Sequence, residues 1–168
     1  MEPQFGATEL PLVGIRSPKI QWAYDFWLAR KGDRELPSRA DFMPEDMRPI
    51  LGCTMLLTVS YKPLVLRYTI CGTDIVEHYG TDLTGKLADD LEPKAFADLI
   101  MELYRDLIAK RRPMIHKVTF ETLDRLSEFE RLMLPLATDG GQIDQILTIS
   151  EYQKTFFQEL ADDAHLPT

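Results

Sequence analysis

Apolar residues recur along this chain at two spacings, and each change of spacing marks an element. Over residues 94–112, Phe96, Leu99, Ile100, Leu103, Leu107 and Ile108 return at intervals of three and four, which predicts one long amphipathic helix. Asp98 near its start and Lys110, Arg111 and Arg112 at its end suit the helix dipole, and Pro113 stops it. Elsewhere the period is two. Met55, Leu57 and Val59 share one face over residues 54–61, and Leu66, Tyr68 and Ile70 alternate with Arg67 and Thr69. Lys62-Pro63 between them predicts an antiparallel hairpin. After the helix, Met114, His116, Val118 and Phe120 face one way over residues 114–122, with Lys117, Thr119 and Glu121 on the other face. Leu132, Leu134 and Leu136 alternate over residues 128–138, with Pro135 among them removing one ladder donor. Asp139-Gly140-Gly141-Gln142 is a turn, and residues 143–152 are the last strand.

The remaining segments are shorter. Gly72 ends the second strand, and Thr73 or Asp74 caps a short helix bearing Ile75, Val76 and Tyr79. Gly80 and Asp82 stop it, Gly85 makes the next turn, and Leu87 and Leu91 anchor an acidic segment holding Asp89, Asp90 and Glu92. Residues 1–16 show no period and read as a flexible arm. Ser17 then caps a helix with Pro18 at its first position and Gly32 at its end. At about 100° per residue, Ile20, Ala23, Tyr24, Trp27 and Leu28 form one face, while Trp22 and Phe26 lie nearly opposite. That second stripe needs a second partner, either the arm, the C-terminal tail or another copy of the chain. Residues 33–51 are a polar, proline-rich connector in which Pro44 starts a short helix carrying Met47, Ile50 and Leu51 inward. Phe156, Phe157 and Leu160 predict a short helix near the end.

Several of these residues form a familiar order. Arg67-Tyr68, Gly72-Thr73 and Asp82-Leu83-Thr84-Gly85-Lys86 resemble the second strand, first helix and "TG" turn of PAS domains. With the segment from Leu36 to Phe42 upstream and Leu134-Pro135-Leu136 downstream, the chain resembles the proteobacterial single-PAS group, the PAS_5 type, over residues 18–152. The resemblance implies an α+β fold: a five-stranded antiparallel sheet in the order 2-1-5-4-3, helices on one face, and an N-terminal flanking helix. The expected division is an arm at 1–16, helix and connector at 17–51, a PAS-like core at 52–152 and a tail at 153–168. The fourth strand is then interior, so Pro135 implies a bulge or local break.

Charge and composition narrow the function. The net charge is −8, and Lys110-Arg111-Arg112 is the longest basic cluster, which argues against nucleic acid or an anionic membrane as the main partner. Two cysteines, Cys53 and Cys71, are too few for a disulfide framework or a zinc site and read as free thiols in a reducing cytoplasm. The N-terminus lacks the pattern of a signal peptide and no apolar run is long enough to cross a bilayer, so a soluble cytoplasmic protein is expected. No catalytic function is expected. There is no GxxxxGK loop and no GxSxG elbow. The carboxylate pairs Asp74 and Asp82, Asp89 and Asp90, and Asp162 and Asp163 sit in turn or cap contexts. His78, His116 and His165 are far apart and lack metal-ligand spacing.

The resemblance lets cofactors be tested against residues. PAS domains that hold haem usually ligate it from a histidine on a helix over the sheet; the long helix here has none, and His78 is the sole helical substitute. Flavin photosensors of this fold carry a cysteine within an Asn-Cys-Arg-Phe-Leu-Gln type motif, a setting that neither Cys53 nor Cys71 has. Haem and a photoactive flavin adduct are therefore not expected. A small-molecule pocket between the sheet and the helices would be lined by Tyr68, Tyr79, Phe96, Ile100, His116, Val118, Phe120 and Phe129. Tyr68 and His116 are the informative pair, since each carries a polar group on an apolar face and needs a partner there. The function expected is a stand-alone sensory or regulatory domain that binds a small ligand in its core and signals through protein–protein association. The alternative is a ligand-free interaction module acting as a homodimer through Trp22 and Phe26.

Overall fold

The computed structural model describes residues 2–123 and 125–152. The expected C-terminal helix with Phe156, Phe157 and Leu160, and with it Asp162, Asp163 and His165, lies outside the described residues. Six strands form one antiparallel sheet: β1 (Gln4–Leu10), β2 (Thr54–Ser60), β3 (Val65–Cys71), β4 (Met114–Glu121), β5 (Leu126–Leu136) and β6 (Gln145–Tyr152), in the order β1-β4-β5-β6-β2-β3. Three helices accompany them: α1 (Pro18–Lys31), α2 (Thr73–Tyr79) and α3 (Lys94–Lys110). Without β1, the order is the one implied by the resemblance. No described helix is long and apolar enough to cross a membrane.

The sixth strand corrects the expectation for the N-terminus. Residues 4–10, expected within a flexible arm, pair with β4 from Gln4 opposite Glu121 to Leu10 opposite Ile115. Phe5 packs against Phe96 of α3 and Phe120 of β4 at ring-centroid distances of 5.6 and 5.3 Å. Gly6 lets the strand close on β4: its carbonyl accepts from the Thr119 hydroxyl at 3.3 Å, and a Cβ there would sit 3.0 Å from that oxygen. β1 thus covers what would otherwise be an open sheet edge.

Pro135 corrects the second expectation. Strand β5 runs through it without a register shift, with Pro135 opposite Ile146 and Leu134 opposite Leu147. β4 begins at Met114, opposite Met133, so Pro135 lies beyond the end of that neighbour. Its carbonyl accepts from the Trp27 indole at 3.1 Å. In an antiparallel ladder the N–H and C=O of one residue point to the same side, so the missing donor also faces Trp27 and costs no ladder bond. The bulge is instead in the β2–β3 hairpin, where Leu56 faces Ile70 but Leu57 faces Tyr68. The extra residue is Thr69, whose hydroxyl donates to the Leu56 carbonyl at 3.1 Å. The shift breaks the expected alternation: Leu66 and Tyr68 are buried, but Ile70 is 44% exposed.

The helices form for the reasons visible in their sequences. Ser17 accepts from the Ile20 N–H at 3.1 Å, Pro18 opens α1, and Gly32 closes it with φ 57°. Ile20, Ala23 and Trp27 are buried, whereas Leu28, expected on the same face, is 41% exposed. α1 packs on the centre of the sheet, over the face where Leu132, Leu134, Leu147 and Ile149 are buried. α3 covers the other face and buries Phe96, Ala97, Ile100, Met101, Leu103, Tyr104 and Leu107. In the connector Met47 and Ile50 point inward as expected, while Leu51 is 40% exposed. The start of α2 lies tight against this connector: a Cβ on Gly72 would come within 2.5 Å of the Leu51 carbonyl oxygen, and one on Gly52 within 2.5 Å of Asp74 Oδ2.

Candidate functional site

Alternation along β5 puts Phe129, Arg131 and Met133 on the face that α3 covers. Register then aligns a polar row across the sheet: Glu9 on β1, His116 on β4, Arg131 on β5 and Ser150 on β6 lie opposite one another in turn. Arg131 is 3% exposed. Among the described residues it has no ion-pair partner, and the tyrosines Tyr104, Tyr68 and Tyr152 act on its charge. Its Nη2 donates to the Tyr104 hydroxyl, and its guanidinium carbon lies 4.6 Å from the centre of that ring. The Tyr104 and Tyr68 hydroxyls are 3.4 Å apart, a spacing at which either can donate. Arg131 Nε has no hydrogen-bond partner. Burying a guanidinium with neutral partners only is costly, so this cluster is the least compensated part of the core.

The cluster borders a small cavity. Met55, Tyr68, Tyr79, Leu83, Leu91, Phe96, Ile100, Phe129, Arg131 and Tyr152 line a space of about 10 Å³, room for one water-sized group. Tyr68, Tyr79, Phe96, Ile100 and Phe129 are thus brought together as the sequence suggested. His116, Val118 and Phe120 are buried on the same face but lie toward β1, outside the cavity wall. Phe120 packs on Phe5 there, a contact made by the strand that the sequence did not reveal. Arg131 and Tyr104 were missed. Both had a signal: Arg131 alternates with Phe129 and Met133, and Tyr104 follows Ile100 by four. Two larger open hollows, of about 380 and 390 Å³, lie around Arg16 on the α1 side and are flanked by Glu128 and Glu130. Both carry charges of both signs, and the buried Ser17 beside the first is already engaged as the cap of α1.

Burial sets the protonation of the site. It raises the Tyr68 pKa well above the ordinary value and raises those of Tyr104 and Tyr152. All three stay neutral near pH 7 and can donate to an acceptor beside Arg131. None is suited to act as a base. Burial also pushes the Cys53 thiol up to about 11, and its Sγ donates to the Ile50 carbonyl at 3.3 Å. Among the described residues, no group of three or more His, Cys, Asp or Glu side chains could hold a metal ion.

His116 gives a pH dependence. Burial lowers its pKa, and Arg131 and Lys110 add to this against Glu9 and Asp106. The folded chain holds it neutral where the unfolded chain, near its ordinary 6.5, takes up a proton. Stability is therefore complete above pH 6.5 and is lost as pH falls from there toward the lowered folded value. Urea melts across this range should show that loss, and His116→Gln should flatten it. An equal slope in the variant would assign the loss to other groups.

The family model PAS_5, described as "PAS domain", matches residues 15–150. Among solved structures, the PAS domain of a Colwellia psychrerythraea protein is 10% identical with a TM-score of 0.43, covering 61% of this chain and 87% of that one. The PAS domain of Bordetella pertussis BvgS is 17% identical with a TM-score of 0.48, covering 72% of this chain and 93% of that one. An RNA-binding light-oxygen-voltage receptor is 11% identical with a TM-score of 0.47; 98% of this chain and 44% of that one are covered. No curated protein matches the chain.

Proposed function

The chain belongs to the PAS_5 family of PAS domains, and from that premise we propose that it is a sensory or regulatory module holding a small ligand between its sheet and α3. The observation that carries this reading is that Arg131 and Tyr68, linked through the Tyr104 hydroxyl, both line one small cavity. A core filled for stability alone gains little from an uncompensated guanidinium. Tyr79, Leu83 and Leu91, from α2 and the segment after it, form the cavity's outer wall. A ligand pressing on this wall would move the surface above it, and altered association with another protein is the output such a movement supports. The first test is the native mass of freshly purified protein before and after denaturation. A mass excess lost on denaturation is the expected result. No excess, at any stage of purification, would count against a resident ligand.

The reading of α1 as a constitutive dimer surface gains less. Trp22 and Phe26 are half-buried and stack on each other at 4.9 Å. Phe26 also meets the edge of Phe42 at 5.5 Å and lies under the Arg30 guanidinium at 4.8 Å. The second stripe thus finds partners in the chain's own connector. Replacing Trp22 and Phe26 with Gln should leave the light-scattering mass unchanged and destabilise the fold by about 1–3 kcal/mol through lost packing. A halved mass at unchanged Tm would restore the dimer surface.

A further inference from the structure

Resting on the reading of the cavity as a ligand site, we infer that its occupant is a compact monovalent anion, a halide or at most formate, held by Arg131 and Tyr68. Three observations converge on this. The first is charge. Arg131 is 3% exposed, has no carboxylate beside it among the described residues, and leaves Nε without a hydrogen-bond partner. A guanidinium removed from water needs either a counter-charge or a neutral replacement, because attraction and desolvation are both large in a low-dielectric site. The second is donor chemistry. Arg131 and Tyr68 line the cavity, and Tyr104 links them by hydrogen bonds to both. Guanidinium N–H and tyrosine O–H groups donate; an anion accepts from both without bringing a donor of its own that would go unmatched. The third is size. About 10 Å³ admits one water-sized group, and apart from Arg131 and the tyrosines Tyr68, Tyr79 and Tyr152 the wall is apolar: Met55, Leu83, Leu91 and Ile100 exclude a hydrated ion or a polyanion. Sulfate and phosphate, doubly charged and larger, do not fit this description.

The test is a set of thermal melts at constant ionic strength, in which sodium formate, sodium acetate or sodium chloride replaces sodium sulfate, with formamide as the neutral counterpart of formate. Three variants accompany the wild type: Arg131→Met, Tyr68→Phe and Ile100→Phe, the last filling the cavity. Formate or chloride at saturation should raise the wild-type Tm by on the order of 5 °C or more. Formamide should have no such effect. The shift should vanish in Arg131→Met and Ile100→Phe, and Tyr68→Phe should raise the apparent Kd about tenfold. Which salt acts distinguishes halide from carboxylate. Equal shifts in wild type and Arg131→Met would overturn the inference. So would a formamide shift as large as that of formate; if Ile100→Phe abolishes that shift, the cavity still binds, and the ligand reading survives without the anion. If no compound shifts the wild type relative to Ile100→Phe and native mass shows no excess, both fail. Because wild type against Ile100→Phe is read independently, a misfolded Arg131→Met does not leave the matter open.

Discussion

Arg131→Met is expected to make the ligand-free protein more stable, by about 1–4 kcal/mol. For a chain of this size that is a rise in Tm of several degrees, at roughly 2–4 °C per kcal/mol. The sign follows from what the guanidinium meets. It is 3% exposed, donates to Tyr104 and lies over the Tyr104 ring, but these neutral groups return only part of the free energy lost when the cation leaves water. Met fills nearly the same volume, can pack on the Tyr104 ring over which the guanidinium lies, and has nothing to desolvate. Tyr104 keeps the Tyr68 hydroxyl at 3.4 Å as a partner. Arg131→Ala is expected to fall on the other side of wild type, since it removes the charge but opens a void under α3. The pair separates charge from volume, and urea melts in buffer free of chloride and small carboxylates read it directly. A substantially less stable Arg131→Met would mean that the charge is already compensated in the empty protein. The expected gain is also an argument about function. A residue that costs stability and could be replaced by a better one is where selection for something other than stability shows.

The sequence made the framework legible because its signals were local. The 3.6-residue period of α3, the Ser17-Pro18 start and Gly32 end of α1, and the turn at Asp139-Gly140-Gly141 depend on neighbours a few residues apart. β1 was hidden because its partner, β4, lies more than a hundred residues away and its own composition is that of a linker. The hairpin bulge was hidden for a similar reason: a single inserted residue, Thr69, reverses the face of Ile70, and period-two counting has no means to see it. In the site, aromatic and aliphatic residues were found by period, and five of the eight candidates do meet at the cavity. Period counting passed over Arg131 because a charged residue in a strand is read as outward-facing. Here the apolar residues on either side, Phe129 and Met133, overrule it. A charge in phase with an apolar stripe was the informative anomaly, more so than His116, which is buried on the same face but outside the cavity wall.

Trp27→Ala should produce the largest loss, about 3–5 kcal/mol, a large part of the 5–15 kcal/mol that holds a typical domain together. Trp27 is 2% exposed at the centre of α1, and its indole is the donor that reaches the Pro135 carbonyl at 3.1 Å. Trp27→Phe keeps most of the apolar area but leaves that buried carbonyl without its partner, so a loss of about 1–3 kcal/mol is expected. The difference between the two variants measures packing; the Phe variant alone measures mainly the orphaned acceptor. Pro135→Ala completes the series. On a regular strand a proline is a defect, and its removal should help. At this position the restored N–H would point past the end of β4 toward Trp27, whose indole is a donor and has nothing to accept with. Pro135→Ala is therefore expected to destabilise rather than stabilise, measurable as a lower urea midpoint with an unchanged m-value. A gain in stability would show that the new N–H finds an acceptor, and that proline is tolerated here rather than suited to the place where α1 crosses the strand.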